Sequence, residues 1–257
     1  MDYLRTEIVE NAEVAPGTAL LRFRGARSVA GRPGQFVMIR GAWGAHPTLG
    51  RAYSLVEVGA VGAVLVRAVG DGSQRLVALR PGDALSVLGP LGHGFGAPVT
   101  GLKAVLVAGG VGVAPIAFLA ETLAAAGAKP SVLFGARTAG DLPLADRLAA
   151  AGDLCVTTED GSAGERGLVT GPLARLLAAQ SEVQIFACGP APMLEAVARL
   201  AAVAGAPCQV ALESPMACGM GTCKGCAVLA ANGNYKYVCS DGPVFEAAEI
   251  FGPGGAR

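Results

Sequence analysis

The chain has 257 residues, of which 52% are hydrophobic and 16% charged, with 20 Lys and Arg set against 20 Asp and Glu. That length suits two or three domains, and the composition excludes a chain too polar to bury a core. No cluster of Lys and Arg supplies the basic stripe that nucleic-acid binders use. The longest apolar stretch, Ala104 to Ala120, is broken by Gly109, Gly110, Gly112 and Pro115, so it reads as strand, turn and helix start, not as a membrane span. The opening Met-Asp-Tyr-Leu-Arg-Thr-Glu lacks the basic-then-apolar order of a secretory signal. A cytoplasmic chain binding neither nucleic acid nor membrane is expected.

From Ile8 to about Pro98, short strands such as TALLRFRG, GQFVMIRG, RAYSLVEV and GAVLVRAV end at Gly, Pro or Asp, and no helical period lasts ten residues. This spacing predicts a small antiparallel barrel over residues 1–99. Residues 100–207 then alternate apolar strands with Ala/Leu-rich helices, which predicts a mostly parallel sheet covered on both faces. In residues 208–257 a strand CQVALES leads to a cysteine-rich loop and a hairpin expected through YKYVCSDGPVF. So small a tail needs a metal or its neighbours to hold its shape.

Three constellations carry chemistry. Cys218, Cys223, Cys226 and Cys239 follow the spacing Cys-x4-Cys-x2-Cys-x12-Cys, and four soft thiolates suit an iron-sulfur cluster or Zn. The Cys-x4-Cys-x2-Cys run is that of plant-type [2Fe-2S] sites, whereas structural zinc more often uses two separated Cys-x2-Cys knuckles. AGGVGVAPI, Ala108 to Ile116, follows a strand and opens a helix, which makes a phosphate site or simply a tight turn. CGPAPML, Cys188 to Leu194, has the same position, and two such turns at strand carboxyl ends would line one crevice. RAYS, Arg51 to Ser54, with RAVGDGS, Arg67 to Ser73, offers an Arg for a pyrophosphate and a Tyr for a ring. By itself this last pattern reads sooner as an ordinary strand Tyr with a surface Arg than as a cofactor site.

In this order the motifs resemble those of the ferredoxin-reductase superfamily, and most closely the PyrK family, the electron-transfer subunits of type B dihydroorotate dehydrogenase. The resemblance covers essentially the whole chain, and MACGMGTCKGC with YKYVCSDGPVF is its most specific part. It implies an FAD-binding barrel, a parallel-sheet NAD-binding domain and a small C-terminal [2Fe-2S] module. Arg51, Ala52, Tyr53 and Ser54 would match the FAD strand, with Ala52 in place of the common Pro. Leu65, Val66 and Arg67 would follow the next FAD strand, and Gly72 with Ser73 would match a Gly-Thr phosphate turn, Ser73 keeping the hydroxyl. Gly109, Gly110 and Gly112 would cradle the nicotinamide nucleotide, with Gly189 and Pro190 near its nicotinamide end. Cys218, Cys223, Cys226 and Cys239 would hold the cluster. The resemblance further implies an FMN-containing catalytic partner subunit in a heterotetramer, electrons passing through the cluster and FAD to NAD+ in pyrimidine biosynthesis, and no acid-base residue of the chain's own.

Two other readings stay open on the sequence. One is a subunit of the same build serving a hydrogenase, a sulfide-linked complex or an electron-bifurcating enzyme; the bifurcating relative typically carries Asp in place of the first cysteine. The other is a zinc-stabilised nucleotide sensor without activity. Glu159, Asp160 and Gly161 are read equally as nucleotide contacts or as a turn. Cys188 is placed near nicotinamide or in the core, Cys155 and Cys208 in the core, His46 and His93 in loops, and Trp43 in loop packing.

Overall fold

A computed structural model describes residues 4–252. Six strands close the barrel: β1 (Leu4–Ala15), β2 (Thr18–Gly25), β3 (Phe36–Gly41), β4 (Arg51–Glu57), β5 (Gly62–Arg67) and, after helix α1 (Asp71–Val77), β6 (Ala84–Leu91). The barrel order is β1-β2-β5-β4-β3-β6, every pair antiparallel. Its interior is filled by alternate residues, among them Ile8, Leu21, Phe23, Val37, Ile39, Leu55, Val64 and Val66. Helix α1 was not expected. Its seven residues carry too short a pattern to read as a helix, and Asn11 ties it down by donating to the carbonyls of Leu76, Val77 and Leu79.

The second domain follows as β7 (Lys103–Gly109), α2 (Val113–Ala125), β8 (Ser131–Ala136), α3 (Ala145–Ala151), β9 (Asp153–Thr158), β10 (Glu165–Arg166), α4 (Thr170–Ala179), β11 (Val183–Cys188) and α5 (Ala191–Ala204). Val105 and Val107 of β7 face the side covered by α4 and α5, while Ala104, Leu106 and Ala108 face α2 and α3. Burial on both faces explains why this strand reads as an unbroken apolar run.

The tail contributes β12 (Cys208–Ala211), β13 (Ala227–Leu229), β14 (Tyr235–Tyr237), β15 (Val244–Glu246) and α6 (Ala247–Phe251). Two of these strands belong to the second domain's sheet, which runs β10-β9-β8-β7-β11-β12-β15. The hairpin also differs from expectation. It pairs β13 with β14, whereas Val244–Glu246 turns away to pair with β12. The module is held by its neighbours: Cys226, Val238, Cys239, Phe245 and Phe251 share one apolar cluster with Phe36, Met38, Leu88 and Leu91 of the barrel and with Leu194 and Val197 of α5. A second cluster joins Leu20, Val56 and Leu65 of the barrel to the underside of α2. Among the described residues no helix is long and apolar enough to cross a membrane.

Candidate functional site

Two cavities adjoin on the outer wall of the barrel, along β3, β4 and β5. The first, about 450 Å3, is lined by Phe36, Ala52, Tyr53, Ser54, Leu65 and Arg67 and closed opposite by Leu212–Met216 and Pro243. The next, about 470 Å3, continues past Arg51, Ala52 and Tyr53 to Gly70–Ser73 and shares Ser214, Pro215 and Met216 with the first. Burial pushes the Tyr53 hydroxyl up to about 12, so it stays a neutral phenol at the wall. Strand pleating decides which of Leu65, Val66 and Arg67 can face a ligand. Leu65 and Arg67 line the cavity, but Val66 is fully buried inside the barrel and offers only its backbone.

The Arg51 guanidinium lies across Gly72, where a Cβ would collide with it, and its Nη1 donates to the Leu49 carbonyl at 2.6 Å. Ser73 keeps its hydroxyl but spends it locally. Its Oγ accepts from the amides of Val69 and Gly70 at 2.9 and 3.0 Å and donates to the Gly70 carbonyl at 2.9 Å. The residue therefore shapes the turn that presents Gly72, and its side chain is buried.

A third cavity, about 370 Å3, opens at the carboxyl ends of β7, β8 and β11, with Gly109, Gly110, Gly135, Ala136, Arg137, Asp141, Glu159 and Pro190 in its wall. Gly110 takes φ +54° with open space where a Cβ would point. Gly112 and Gly189 are not in this wall. A Cβ on Gly112 would stand 2.5 Å from the Cys188 carbonyl oxygen, and one on Gly189 would stand 3.1 Å from the Gly109 Cα, so both glycines lock the two turns together. The 159–161 segment divides its roles. Glu159 faces the cavity, while Asp160 accepts from the Ser162 amide and hydroxyl at 2.9 and 2.6 Å and builds a turn through Gly161 at φ +79°.

The four cysteines lie on one loop and the strand end beyond it. Cys226 and Cys239 are buried with sulfurs 3.2 Å apart; Cys218 is half-buried and Cys223 exposed. Among the described residues no three His, Cys, Asp or Glu side chains converge tightly on one point. The loop is nevertheless dressed for sulfur ligands. The amides of Cys223 and Met220 donate to Cys218 Sγ at 3.4 Å, and that of Gly221 to Cys239 Sγ at 3.1 Å. The first two hold the Cys218 thiol down to about 6, which favours the thiolate that metals bind, while burial beside Cys226 pushes Cys239 up to about 12. Four thiol donors, with amides aimed at Cys218, Cys226 and Cys239, fit an iron-sulfur cluster by donor chemistry.

Several lining residues escaped the sequence reading: Arg137, Asp141 and the segment Leu212–Met216 with Glu213. Their position just past strand carboxyl ends was the available signal. Desolvation raises the Glu213 carboxyl above its ordinary value. Trp43 packs in its loop, donating to the Pro47 carbonyl at 3.1 Å. His46 is exposed, with Nε2 3.5 Å from Asp71. Cys188 and Cys208 are buried, and Cys155 is half-buried.

A family model for the iron-sulfur cluster binding domain of dihydroorotate dehydrogenase B matches residues 213–251. A model for an oxidoreductase NAD-binding domain matches residues 106–199. The chain is 40% identical over 227 residues to the dihydroorotate dehydrogenase B (NAD(+)) electron transfer subunit of Bacillus caldolyticus, covering 85% of this chain and 86% of the relative. It is 39% identical over 254 residues to a protein of Methanopyrus kandleri named as a probable subunit of the same kind, covering 98% of this chain and 94% of the relative. The solved structure of an NADH-dependent reduced ferredoxin-NADP oxidoreductase, described for flavin-based electron bifurcation, matches with a TM-score of 0.84 at 30% identity over 95% of this chain and 89% of the other.

Proposed function

The chain belongs to the family of dihydroorotate dehydrogenase B electron transfer subunits, and we propose that it relays electrons from a separate FMN-bearing catalytic subunit, through Cys218, Cys223, Cys226 and Cys239, to FAD and then to NAD+. It is an oxidoreductase subunit whose redox groups are a [2Fe-2S] cluster, FAD and NAD(H). When bound, the cluster passes single electrons, the nicotinamide takes a hydride, and the flavin converts between the two.

One observation carries the reading: the first cavity touches both of its neighbours in the relay. Arg67 lines it and also the nucleotide cavity. Leu212–Met216 line it and run directly into the cluster loop at Cys218. FAD would lie with its ring against Tyr53, Ser54 and Leu65 and its diphosphate along Arg51 and Gly72. The nucleotide would enter over Gly109, Gly110 and Pro190. Glu159 in that wall suits the ribose hydroxyls of NAD, while Arg137 in the same wall offers a cation that would meet a 2′-phosphate. The chain's own work is to hold and orient these groups and to keep water from the junction. Dihydroorotate oxidation would belong to the partner, in a cytoplasmic heterotetramer serving pyrimidine biosynthesis.

Likeness to the electron-bifurcating oxidoreductase keeps a second reading in view, with a different partner for the same relay. The test is anaerobic capture of the tagged chain from its native cells, followed at once by an assay of dihydroorotate-dependent NAD+ reduction. An FMN protein that co-purifies and supports the reaction is expected. Capture of another redox protein, with dihydroorotate inert, would end the pathway assignment while leaving the cofactor relay standing.

A further inference from the structure

Two ion pairs of opposite character join the barrel to the nucleotide domain. In one, Arg147 of α3 grips Glu121 of α2 through two contacts at 2.6 and 2.7 Å and reaches Glu57 of β4 at 2.7 Å. Glu57 in turn takes two bonds from Arg22 of β2 at 2.9 and 3.0 Å. Hydrogen-bonded, forked contacts of this kind are strong and hold a fixed geometry. In the other, Arg67 Nη2 stands 3.9 Å from Asp141 Oδ1, outside hydrogen-bond reach, with both side chains partly open to solvent. Such loose pairs are cheap to part. The tight pair lies away from the cavities, and the loose one lies within them: Arg67 borders all three, and Asp141 lines the nucleotide cavity.

A carboxylate in a cavity that takes a dinucleotide repels the diphosphate unless it is neutralised. Asp141 is steered by a bond from Thr138 Oγ1 to its Oδ2 at 3.0 Å, which leaves Oδ1 turned to Arg67. Resting on the reading of this cavity as the NAD(H) site, we propose that Asp141 is a built-in competitor for Arg67: it holds the guanidinium at the border of the flavin and nucleotide cavities, and the incoming diphosphate displaces it. Exchange of a 3.9 Å carboxylate contact for a forked guanidinium–phosphate contact gains binding energy. Part of that gain is spent in releasing Asp141, so affinity is held down and departure of the nucleotide is quickened as the carboxylate returns. Asp141 is thus a positioning residue that sets nucleotide affinity and has no part in the redox step.

The test is a binding cycle on the FAD-loaded chain with ADP-ribose, which carries the diphosphate without nicotinamide. Asp141→Asn is expected to bind ADP-ribose about two- to fivefold more tightly than wild type at low salt, the range to which an exposed ion pair converts. The gap should narrow as salt screens the pair. Arg67→Gln should bind more weakly, and the double variant should match Arg67→Gln alone. If Arg67→Gln sheds FAD, Arg67→Lys, which keeps the charge but loses the fork, replaces it in the cycle. Unchanged or weaker binding by Asp141→Asn, or a gain that survives the loss of Arg67, would overturn the proposal. A wild-type chain that binds ADP-ribose normally while Asp141→Asn is inert sinks this inference alone; a wild type that binds neither ADP-ribose nor NADH sinks the cavity assignment with it.

Discussion

Gly110 and Gly112 are two residues apart, yet the structure requires glycine at each for a different reason. At Gly110 the requirement is the backbone, φ +54° with free space beyond, so alanine there costs about 1 kcal/mol of left-handed strain. At Gly112 the requirement is room, because a Cβ would meet the carbonyl oxygen and carbon of Cys188 at 2.5 and 2.6 Å and the Gly189 Cα at 2.7 Å. Those atoms are backbone and cannot swing aside, so the two turns must separate. Gly112→Ala is therefore expected to cost about 1–3 kcal/mol and to weaken NADH binding, while FAD content is unchanged. Thermal melting and NADH titration of the two alanine variants would check the order, and a Gly112→Ala variant as stable and as tight as Gly110→Ala would refute it. The motif Gly-Gly-x-Gly was legible in the sequence, but its division of labour was not. The same holds for Val66 and Ser73, because which way a side chain faces in a barrel, and whether a hydroxyl is already taken, depend on strand register and on the capped turn of α1.

At the scale of elements, the alternation of apolar runs with Ala-rich segments was enough to place β7, α2, β8, α3, β9, α4, β11 and α5. Two misses share one cause. Helix α1 and the swing of Val244–Glu246 onto β12 are both set by distant partners, Asn11 in one case and the sheet edge in the other, which local pattern does not reveal. The Arg22–Glu57–Arg147–Glu121 chain of contacts is also assembled from four separate elements, so no motif announces it. Its worth can be tested at Glu57, whose carboxyl is held below the ordinary glutamate range first by the hydrogen bond from Arg22 and then by the charge of Arg147. A depressed folded value means that the stabilisation is complete above the unfolded value and disappears as pH falls through the folded one. Glu57→Gln should lower stability at neutral pH by about 1–3 kcal/mol, between the small worth of exposed pairs and the larger loss on breaking buried ones. The gap from wild type should close as the solution is taken below the folded value. Paired melts across that acid range decide it, since a gap that persists in acid would assign the loss to packing.

For the whole molecule, the decisive feature is that three functional parts share cores instead of sitting side by side. The barrel reaches α2 through Leu20, Val56 and Leu65, and it reaches the cysteine module through Phe36, Met38 and Leu91. Burial of side chains such as these contributes about 1.5–3 kcal/mol each, more than an exposed thiol supplies to packing. The cluster module should therefore keep its fold when the cluster is lost, unlike small metal-nucleated domains that unfold without their metal. Cys223 is the proposed ligand with which to test this, because it is exposed, whereas serine at buried Cys226 would place a hydroxyl in the core beside Cys239. Cys223→Ser is expected to lose the visible absorbance of the [2Fe-2S] cluster and all partner-linked NAD+ reduction. It should keep its FAD, its NADH-to-dye turnover and a melting temperature within a few degrees of wild type, since Arg51, Tyr53 and the nucleotide cavity lie on parts of the fold that the substitution does not touch. Retained turnover with the partner would break the proposed relay at its first step; loss of FAD along with the cluster would show that the loop, through Leu212–Met216, holds the flavin cavity together and that the module is not independent of its metal.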